Sequence, residues 1–305
     1  MNPRPEPARG GTRAITSLQN ERVKLIRSLE MRKARRETNL FVAEGASVLM
    51  TARDAGWAPR MLVFLAGSAE MGVARDLLAW AGAAGAECLE VSPAVLAKLA
   101  AKDNPQTMLG VFEQRWAAEP GPAAPPSSSQ RGPGATPASS LEAASAVDAN
   151  PRGSESVWVA LEAVRDPGNL GTIVRTADAV GARGVALIGS TCDPYSREAV
   201  RASMGSIFNV PLVRMSVERF LAWAAAWEGD VVGTHLSGRE DFRAAPYRGP
   251  TLLAMGSEGP GLSPGLAAAC SRLVKIPMAG RLDSLNLAVA TALLLYEIRK
   301  DRLHL

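Results

Sequence analysis

DPGNLGTIVRTA, residues 166–177, joins an apolar run to a helix-like pattern through a glycine-rich turn. The apolar run before it, Val157–Glu162, has the length and composition of a buried strand. Residues 169–180 then repeat apolar side chains at helical spacing. A strand, a tight turn and a helix in this order form the unit from which parallel sheets are built.

The same alternation continues to the end of the chain. Strands are predicted at 184–188, 230–235, 251–255 and 273–276, and helices at 197–204, 217–227, 264–271 and 284–301. This pattern predicts an α/β fold with a mostly parallel sheet and helices on both faces. Ligands of such sheets bind beyond the carboxyl ends of the strands.

Two more glycine-containing stretches fall at predicted strand ends, MGSEGPG at 255–261 and IPMAGRLDSLNL at 276–287. Together the three stretches supply four candidate polar site residues: Asn169, Arg175, Glu258 and Asn286. Simple helix capping is an alternative role for Asn169. For Ser284, at the start of the last helix, capping and a functional role are about equally supported. Arg175 is harder to explain structurally, because an arginine on an otherwise apolar helix needs a partner or a ligand, and its planar fork suits phosphate.

The glycine loop at 256–261 argues against a dinucleotide cofactor. Its glycines run G-x-x-G-x-G, whereas the dinucleotide fingerprint is G-x-G-x-x-G followed by an acidic residue about 20 positions later. Glu258 also places a negative charge where a pyrophosphate would bind. A cationic ligand suits this loop better.

The N-terminal region is basic. Between Arg13 and Arg36 eight basic residues face two acidic ones, an excess of six that exceeds the net charge of +4 of the whole chain. Val23, Ile26 and Leu29 form an apolar stripe at helical spacing, which leaves the charges on the outer side of a helix. A solvated helix face is one interpretation and a phosphate-binding surface is the other. The predicted RNA-binding residues are Arg22, Lys24, Arg27, Arg32, Lys33, Arg35 and Arg36.

Composition divides the chain. We predict a disordered N-terminus at 1–12, a small α/β domain at 13–116, a Pro/Ala/Ser-rich flexible linker at 117–156 and a second α/β domain at 157–305. In the first domain, strands are expected at 40–43, 61–65, 88–91 and 109–112, and helices at 46–55 and 73–83.

The 305-residue chain has the composition of a soluble globular protein, with 47% hydrophobic and 21% charged residues. No signal peptide or membrane span is expected. Three widely separated cysteines and two histidines predict neither disulfides nor a metal site. These features favour the cytoplasm.

The three stretches, in their order and spacing, resemble the SpoU/TrmH branch of the SPOUT superfamily. The resemblance covers residues 157–302, and the first 115 residues resemble more loosely the substrate-binding domain that often precedes it. It implies an RNA ribose 2′-O-methyltransferase that uses S-adenosylmethionine. It further implies a C-terminal segment threaded into a deep trefoil knot, and a homodimer whose sites are completed near the subunit interface.

By the same resemblance, Asn169, Arg175, Glu258 and Asn286 match the family's catalytic positions. The implied cofactor-binding residues are Gly256, Ser257, Gly261, Ile276, Met278 and Leu285. Asp283 stands where the family usually has Glu. Because a guanidinium only donates hydrogen bonds, we hypothesise that Arg175 fixes a phosphate or stabilises the developing alkoxide rather than acting as a base.

The resemblance of the first domain favours ribosomal RNA over tRNA as the substrate. A non-catalytic RNA-binding or ribosome-assembly protein on the same fold is the alternative. Such a protein would be expected to have lost some of the four polar positions, and all four are present.

Overall fold

The computed structural model describes residues 12–70, 72–100, 106–120, 156–281 and 284–304. They form two compact units. The first unit contains the chain up to Gln114 together with Pro167–Arg175 and Asp193–Asn209, and the second contains Arg115–Asp166, Thr176–Cys192 and Val210–Leu305. Two short segments that follow the predicted linker in sequence therefore pack with the N-terminal residues.

The first unit is built on a mixed sheet. Its elements before the linker are β1 (Thr12–Ile15), α1 (Glu21–Ser28), α2 (Arg32–Thr38), β2 (Leu40–Glu44), α3 (Ala46–Asp54), β3 (Met61–Leu65), α4 (Gly72–Ala83), β4 (Glu87–Val91), α5 (Pro93–Leu99) and β5 (Met108–Glu113). The strand order is β1-β4-β3-β5-β2, with β4 parallel to both neighbours and β5 antiparallel to both of its own. Four strands and three helices, including the basic helix, were predicted here; β1 and α5 were not.

The single basic helix predicted from the sequence is two helices. Asn20 caps α1 by accepting a hydrogen bond from the Arg22 N–H at 2.8 Å, and the predicted apolar stripe is buried. The chain then turns, and α2 begins after Met31, which has an extended backbone. Asn39, in the left-handed region with φ 58°, ends α2.

We predicted that Arg35 lies on the outer surface of the basic helix. That prediction is wrong. Its side chain is only 4% exposed, and its Nε donates to an Asp193 carboxylate oxygen at 2.9 Å. Its Nη1 donates to the carbonyl oxygens of Leu29 and Glu30, both at 2.8 Å. The charge is buried because an acidic partner 158 residues later in the chain accepts it.

Aromatic side chains tie the segment Asp193–Asn209 into the core of the first unit. Phe41 lies 4.7 Å from Tyr195 and 5.9 Å from Phe208 between ring centroids. Trp57 stacks edge-on against Phe208 at 5.0 Å, and its indole N–H donates to the Phe208 carbonyl at 2.9 Å. The core of this unit is therefore completed by residues from far along the chain.

The second unit is built on a seven-stranded sheet. The elements that follow the predicted linker are β6 (Val157–Glu162), α6 (Pro167–Ala179), β7 (Gly184–Ile188), α7 (Arg197–Ala202), β8 (Leu212–Met215), α8 (Val217–Ala225), β9 (Asp230–Thr234), β10 (Glu240–Asp241), β11 (Thr251–Met255), α9 (Pro264–Ala269), β12 (Arg272–Lys275) and α10 (Leu287–Arg299). Of these, α7 and the start of α6 belong to the first unit.

The strand order is β10-β12-β9-β11-β6-β7-β8, and all the neighbouring pairs are parallel. The predicted α/β class with a parallel sheet is confirmed, although β8 and β10 were not predicted. The core on one side of this sheet includes Trp158, Trp223 and Trp227. The carboxyl ends of β6, β11, β9 and β12 lie at one edge of the sheet, because parallel strands all end on the same side.

The predicted disordered N-terminus lies almost wholly outside the described residues, and so do residues 121–155 of the predicted linker. The first four residues of the predicted linker, 117–120, are described and pack within the second unit. The Ala117 N–H donates to the Leu212 carbonyl at 2.8 Å, and Glu119 pairs with Arg219 at 2.8 Å. None of the helices in the described part of the chain has the length and apolarity that a membrane span requires.

Candidate functional site

The first stretch, 166–177, forms the start of α6. The helix begins at Pro167, so Asn169 lies inside its first turn rather than at its cap. Asn169 is half-buried and Arg175 is exposed. Gly171 serves a packing purpose, because a Cβ there would lie 2.3 Å from the Ala199 carbonyl oxygen in α7. The glycine thus lets α7 approach α6 closely.

The second stretch forms a closed loop after β11, residues 256–261, here called the glycine loop. Ser257 and Gly261 exchange two backbone hydrogen bonds, at 3.2 and 3.1 Å, and Gly261 has φ 72°. A Cβ on Gly256 would lie 1.9 Å from the carbonyl carbon of Gly261, so only glycine lets the loop close. At Gly259 a Cβ would meet nothing within 4 Å, so this side of the loop is open.

Glu258, at the tip of the glycine loop, binds backbone. One carboxylate oxygen accepts the Arg165 N–H and the other accepts the Asp166 N–H, both at 3.2 Å. These two residues belong to the turn 163–166, which leads from β6 to α6. The two hydrogen bonds join the tip of the glycine loop to this turn.

A second carboxylate, which was not predicted from the sequence, makes the reverse contact: it extends from the end of β6 toward the residues that follow the glycine loop. Glu162, the last residue of β6, is 9% exposed and accepts the Ser263 N–H at 2.7 Å. Ser263 caps α9, immediately after the glycine loop. The signal available in the sequence was an acidic residue at the end of an otherwise fully apolar strand.

The third stretch precedes α10. Asn286 is the N-cap of that helix, and its side-chain oxygen accepts the N–H groups of Ala288 at 2.9 Å and Val289 at 3.2 Å. Ser284, which we considered as the cap, lies two residues before this position and is exposed. Asp283 lies outside the described residues.

The predicted cofactor-binding residues divide between the two later stretches. Gly256 is buried and Ser257 and Gly261 are half-buried in the glycine loop, whereas Ile276 and Met278 are half-buried just after β12. Leu285 is 38% exposed beside the start of α10. Both stretches therefore begin at the same edge of the sheet, since β11 and β12 flank β9 in parallel.

The basic residues of α1 and α2 divide into three groups. Five predicted RNA-binding residues are exposed: Lys24, Arg27, Arg32, Lys33 and Arg36. Arg22 is half-buried and pairs with Glu87 at 2.8 Å. Arg35 is buried, as described above. These five side chains place positive charge on the outer side of α1 and α2, where Lys24 and Lys33 also pair with the exposed Glu21 and Glu37.

Among the described side chains, no group of three or more His, Cys, Asp and Glu residues is arranged to hold a metal ion. Burial raises the pKa of the Cys270 thiol to about 11, and it also raises the pKa of the Cys88 thiol. Neither thiol is therefore placed as a nucleophile at neutral pH.

The fold is that of an α/β protein with a parallel sheet, and a closed glycine loop and a helix N-cap lie at its strand ends, where proteins of this class bind ligands. A family profile described as the SpoU rRNA Methylase family matches residues 156–296, and one described as an MRM3-like substrate binding domain matches residues 20–110. The crystal structure of an AdoMet-bound rRNA methyltransferase from Sinorhizobium meliloti is similar with a TM-score of 0.81 and 40% identity, over 96% of this chain and 99% of that one.

Two curated relatives are rRNA 2′-O-methyltransferases. The 23S rRNA (guanosine(2553)-2′-O)-methyltransferase RlmP of Bacillus subtilis is 28% identical over 93% of this chain and 98% of its own length. The 23S rRNA (uridine(2479)-2′-O)-methyltransferase of Streptomyces viridochromogenes is 37% identical over 52% of this chain. The chain spans 62% and 58% of the lengths of two of the curated relatives that it matches.

The chain belongs to the SpoU rRNA methylase family. The predicted family, the class of RNA methyltransferases and S-adenosylmethionine as the family's cofactor are thereby confirmed.

Proposed function

We propose that this protein transfers a methyl group from S-adenosylmethionine to the 2′-hydroxyl of one ribose in structured ribosomal RNA. The observation that carries the proposal is the glycine loop, closed on itself at the end of β11 and held by Glu258 against the turn that leads into α6. The strand before this loop, β11, pairs with β6. The helix after β6, α6, carries Asn169 and Arg175.

The residues at this edge suit S-adenosylmethionine. The glycine loop offers backbone donors and acceptors on its open side at Gly259, and Ile276 and Met278 add apolar side chains after β12. Gly256, Ser257, Gly261 and Leu285 complete the proposed binding set. When bound, the cofactor would supply a methyl group on a positively charged sulfur. A loop that carries the Glu258 carboxylate suits a cationic ligand better than a polyanion.

Arg175 is the proposed contact for RNA at the reacting position. Its exposed guanidinium can hold a phosphate beside the target ribose with two parallel hydrogen bonds, or stabilise negative charge as the hydroxyl loses its proton. Asn169, half-buried in the same helix, can orient the ribose. Holding the hydroxyl in line with the methyl group accounts for much of the rate, since well-oriented reactions reach effective molarities of roughly 10⁵ M or more.

The four polar positions thus fall into two kinds. Glu258 and Asn286 bind backbone N–H groups and shape the glycine loop and the start of α10. Asn169 and Arg175, both on α6, are the two positions proposed to contact the substrate. The presence of all four polar positions favours an enzyme over a non-catalytic assembly factor, because such a factor would be expected to have lost some of them.

Ribosomal RNA is the proposed substrate because the relatives RlmP and the S. viridochromogenes enzyme are named for it and because residues 20–110 match a substrate-binding domain. The exposed basic residues of α1 and α2 supply the electrostatic part of RNA binding. A tRNA substrate is the alternative that the test below distinguishes.

A homodimer in the cytoplasm is the proposed state of the protein. Val289, Leu293 and Tyr296 are 40–50% exposed and follow one another at spacings of four and three, which places them on one face of α10. A second copy of the chain would bury this apolar face. Light scattering of the purified protein would measure whether its mass is that of a dimer. The threading of the C-terminal segment into a trefoil knot stays a prediction from the family.

The test is a map of ribose methylation across total RNA from a strain that lacks the gene. One lost 2′-O-methyl group in ribosomal RNA, restored by the wild-type gene, is the expected result; a lost site in tRNA would identify the alternative substrate. Complementation with Arg175→Lys should fail, because lysine lacks the planar fork. Full restoration by this variant would refute two-point phosphate positioning.

A further inference from the structure

We propose that Glu162 is a positioning residue which, together with Glu258, fixes the glycine loop 256–261 against the turn 163–166 and so sets the affinity for the methyl donor. The inference rests on the proposed function, because it assigns a role toward S-adenosylmethionine.

The register of the sheet places the two carboxylates for reciprocal contacts. β6 and β11 pair in parallel up to Leu161 and Met255, so Glu162 and Gly256 are the next residues along neighbouring strands. From this point Glu162 reaches forward to the Ser263 N–H beyond the glycine loop, at 2.7 Å. Glu258 reaches back from the loop tip to the N–H groups of Arg165 and Asp166.

The two contacts hold the loop at different points. Glu258 fixes its tip and Glu162 fixes its exit, while the Ser257–Gly261 pair closes it internally. Glu162 is the last residue of β6 and Glu258 lies three residues after the end of β11, and the N–H groups that they accept all lie outside the strands. The Ser263 N–H is half-buried, so removing its acceptor costs free energy, whereas the N–H groups that bond Glu258 are exposed. The position of the loop's exit therefore depends on Glu162.

The turn that receives Glu258 is itself strongly constrained. Ala163 has φ 51°, a left-handed conformation that residues with a side chain adopt where their surroundings impose it. Its N–H donates to the Ile188 carbonyl at 3.2 Å, and the Val164 carbonyl accepts the Cys192 N–H at 2.8 Å. The turn is therefore a rigid partner for the glycine loop, and Glu162 lies at its beginning.

The role predicts a specific difference between two substitutions. Glu162 accepts one N–H, and the amide oxygen of glutamine can accept the same bond, so Glu162→Gln should keep affinity for S-adenosylmethionine within about threefold of wild type. Glu162→Ala removes the acceptor and should weaken binding about tenfold or more. Glu258→Gln can retain only one of two bonds and should fall between these values.

Isothermal calorimetry of the full chain with S-adenosylmethionine measures these affinities. Glu240→Ala is the control for general destabilisation, because Glu240 accepts two hydrogen bonds from Arg272 at the far edge of the same sheet. This variant should melt at a lower temperature with an unchanged dissociation constant. The inference is overturned if Glu162→Ala binds like wild type, or if Glu162→Gln binds as weakly as Glu162→Ala.

A second pair of variants tests the same bond from its donor side, and it serves even if Glu162→Ala does not fold. Ser263 has φ −63°, which proline can adopt, so Ser263→Pro removes the N–H and the capping hydroxyl together. Ser263→Ala removes only the hydroxyl. We expect Ser263→Pro to weaken binding about tenfold and Ser263→Ala to leave it within about twofold. Equal dissociation constants for the two variants would overturn the inference.

The outcomes also separate this inference from the proposed function. If wild type binds S-adenosylmethionine and methylates RNA while the Glu162 and Ser263 variants do the same with unchanged affinity, only the positioning role is refuted. If wild type does not bind S-adenosylmethionine, the proposed function is refuted and the inference with it.

Discussion

Removing Arg35 should destabilise the first unit more than any surface substitution. In Arg35→Met the Asp193 carboxylate, 5% exposed, loses its cationic partner and retains the hydrogen bond from the Tyr195 N–H at 3.0 Å. The carbonyl oxygens of Leu29 and Glu30 lose their bonds from Nη1 at the same time. Breaking a buried ion pair by removing one partner costs about 3–5 kcal/mol, and we expect a loss in this range.

The assay is native-state hydrogen exchange of the β2 and β5 amides, because a chain with two compact units need not unfold in one step. Adding Asp193→Leu to Arg35→Met removes the unpaired charge and should restore about 2 kcal/mol or more. As a control, Arg60→Met breaks an exposed pair with Glu113, whose side chains are 62% and 52% exposed, and should cost under about 1 kcal/mol. If Arg35→Met costs no more than Arg60→Met, the buried pair does not stabilise this unit.

Three further predictions follow from the same structure. Replacing any one of Lys24, Arg27 and Arg36 by Gln should reduce the slope of log affinity for RNA against log salt concentration by about 0.7–0.9, while the control Arg75→Gln on α4 should leave the slope unchanged. An unchanged slope for the first three variants would exclude α1 and α2 from the RNA interface. Gly256→Ala should weaken S-adenosylmethionine binding about tenfold or more, because the new Cβ would overlap Gly261. In the control Gly259→Ala the new Cβ enters open space, so the dissociation constant should change less than about twofold. Equal changes in the two dissociation constants would contradict the closed loop. Burial raises the pKa of the Cys270 thiol to about 11, so this thiol should react with iodoacetamide at pH 8 roughly 200-fold more slowly than free cysteine, and its reaction rate should increase as the pH rises. A rate like that of free cysteine would show that the thiol is not buried.

The elements that were predictable are those whose local pattern and packing agree. β6, β7 and β11 are short apolar runs bounded by glycine, proline or polar residues, and the sheet buries them. β8 was missed because its four residues include the exposed Arg214, which breaks the apolar run, and β10 because two polar residues carry no strand signal. Short edge strands depend on their neighbours more than on their own sequence.

The candidate site shows the same limit. Its four polar residues were proposed because charged and amide side chains beside glycine turns at strand ends are unusual. The roles of Glu162 and Arg35 depend on partners 101 and 158 residues away, which no local pattern contains. The last helix was predicted to begin at Ser284, whose hydroxyl can cap a helix. In the structure it begins at Leu287, with Asn286 as its cap.

The most direct test of the proposed function is a nucleoside analysis after methyl transfer in vitro. The purified protein is incubated with methyl-labelled S-adenosylmethionine and with ribosomal RNA from the deletion strain, and the RNA is digested to nucleosides for mass spectrometry. The label should appear in a single 2′-O-methylated nucleoside, and Arg175→Lys should reduce it at least about tenfold. Label on a base, or no transfer by a protein that binds S-adenosylmethionine and this RNA, would contradict the assignment of this chain as a ribose methyltransferase.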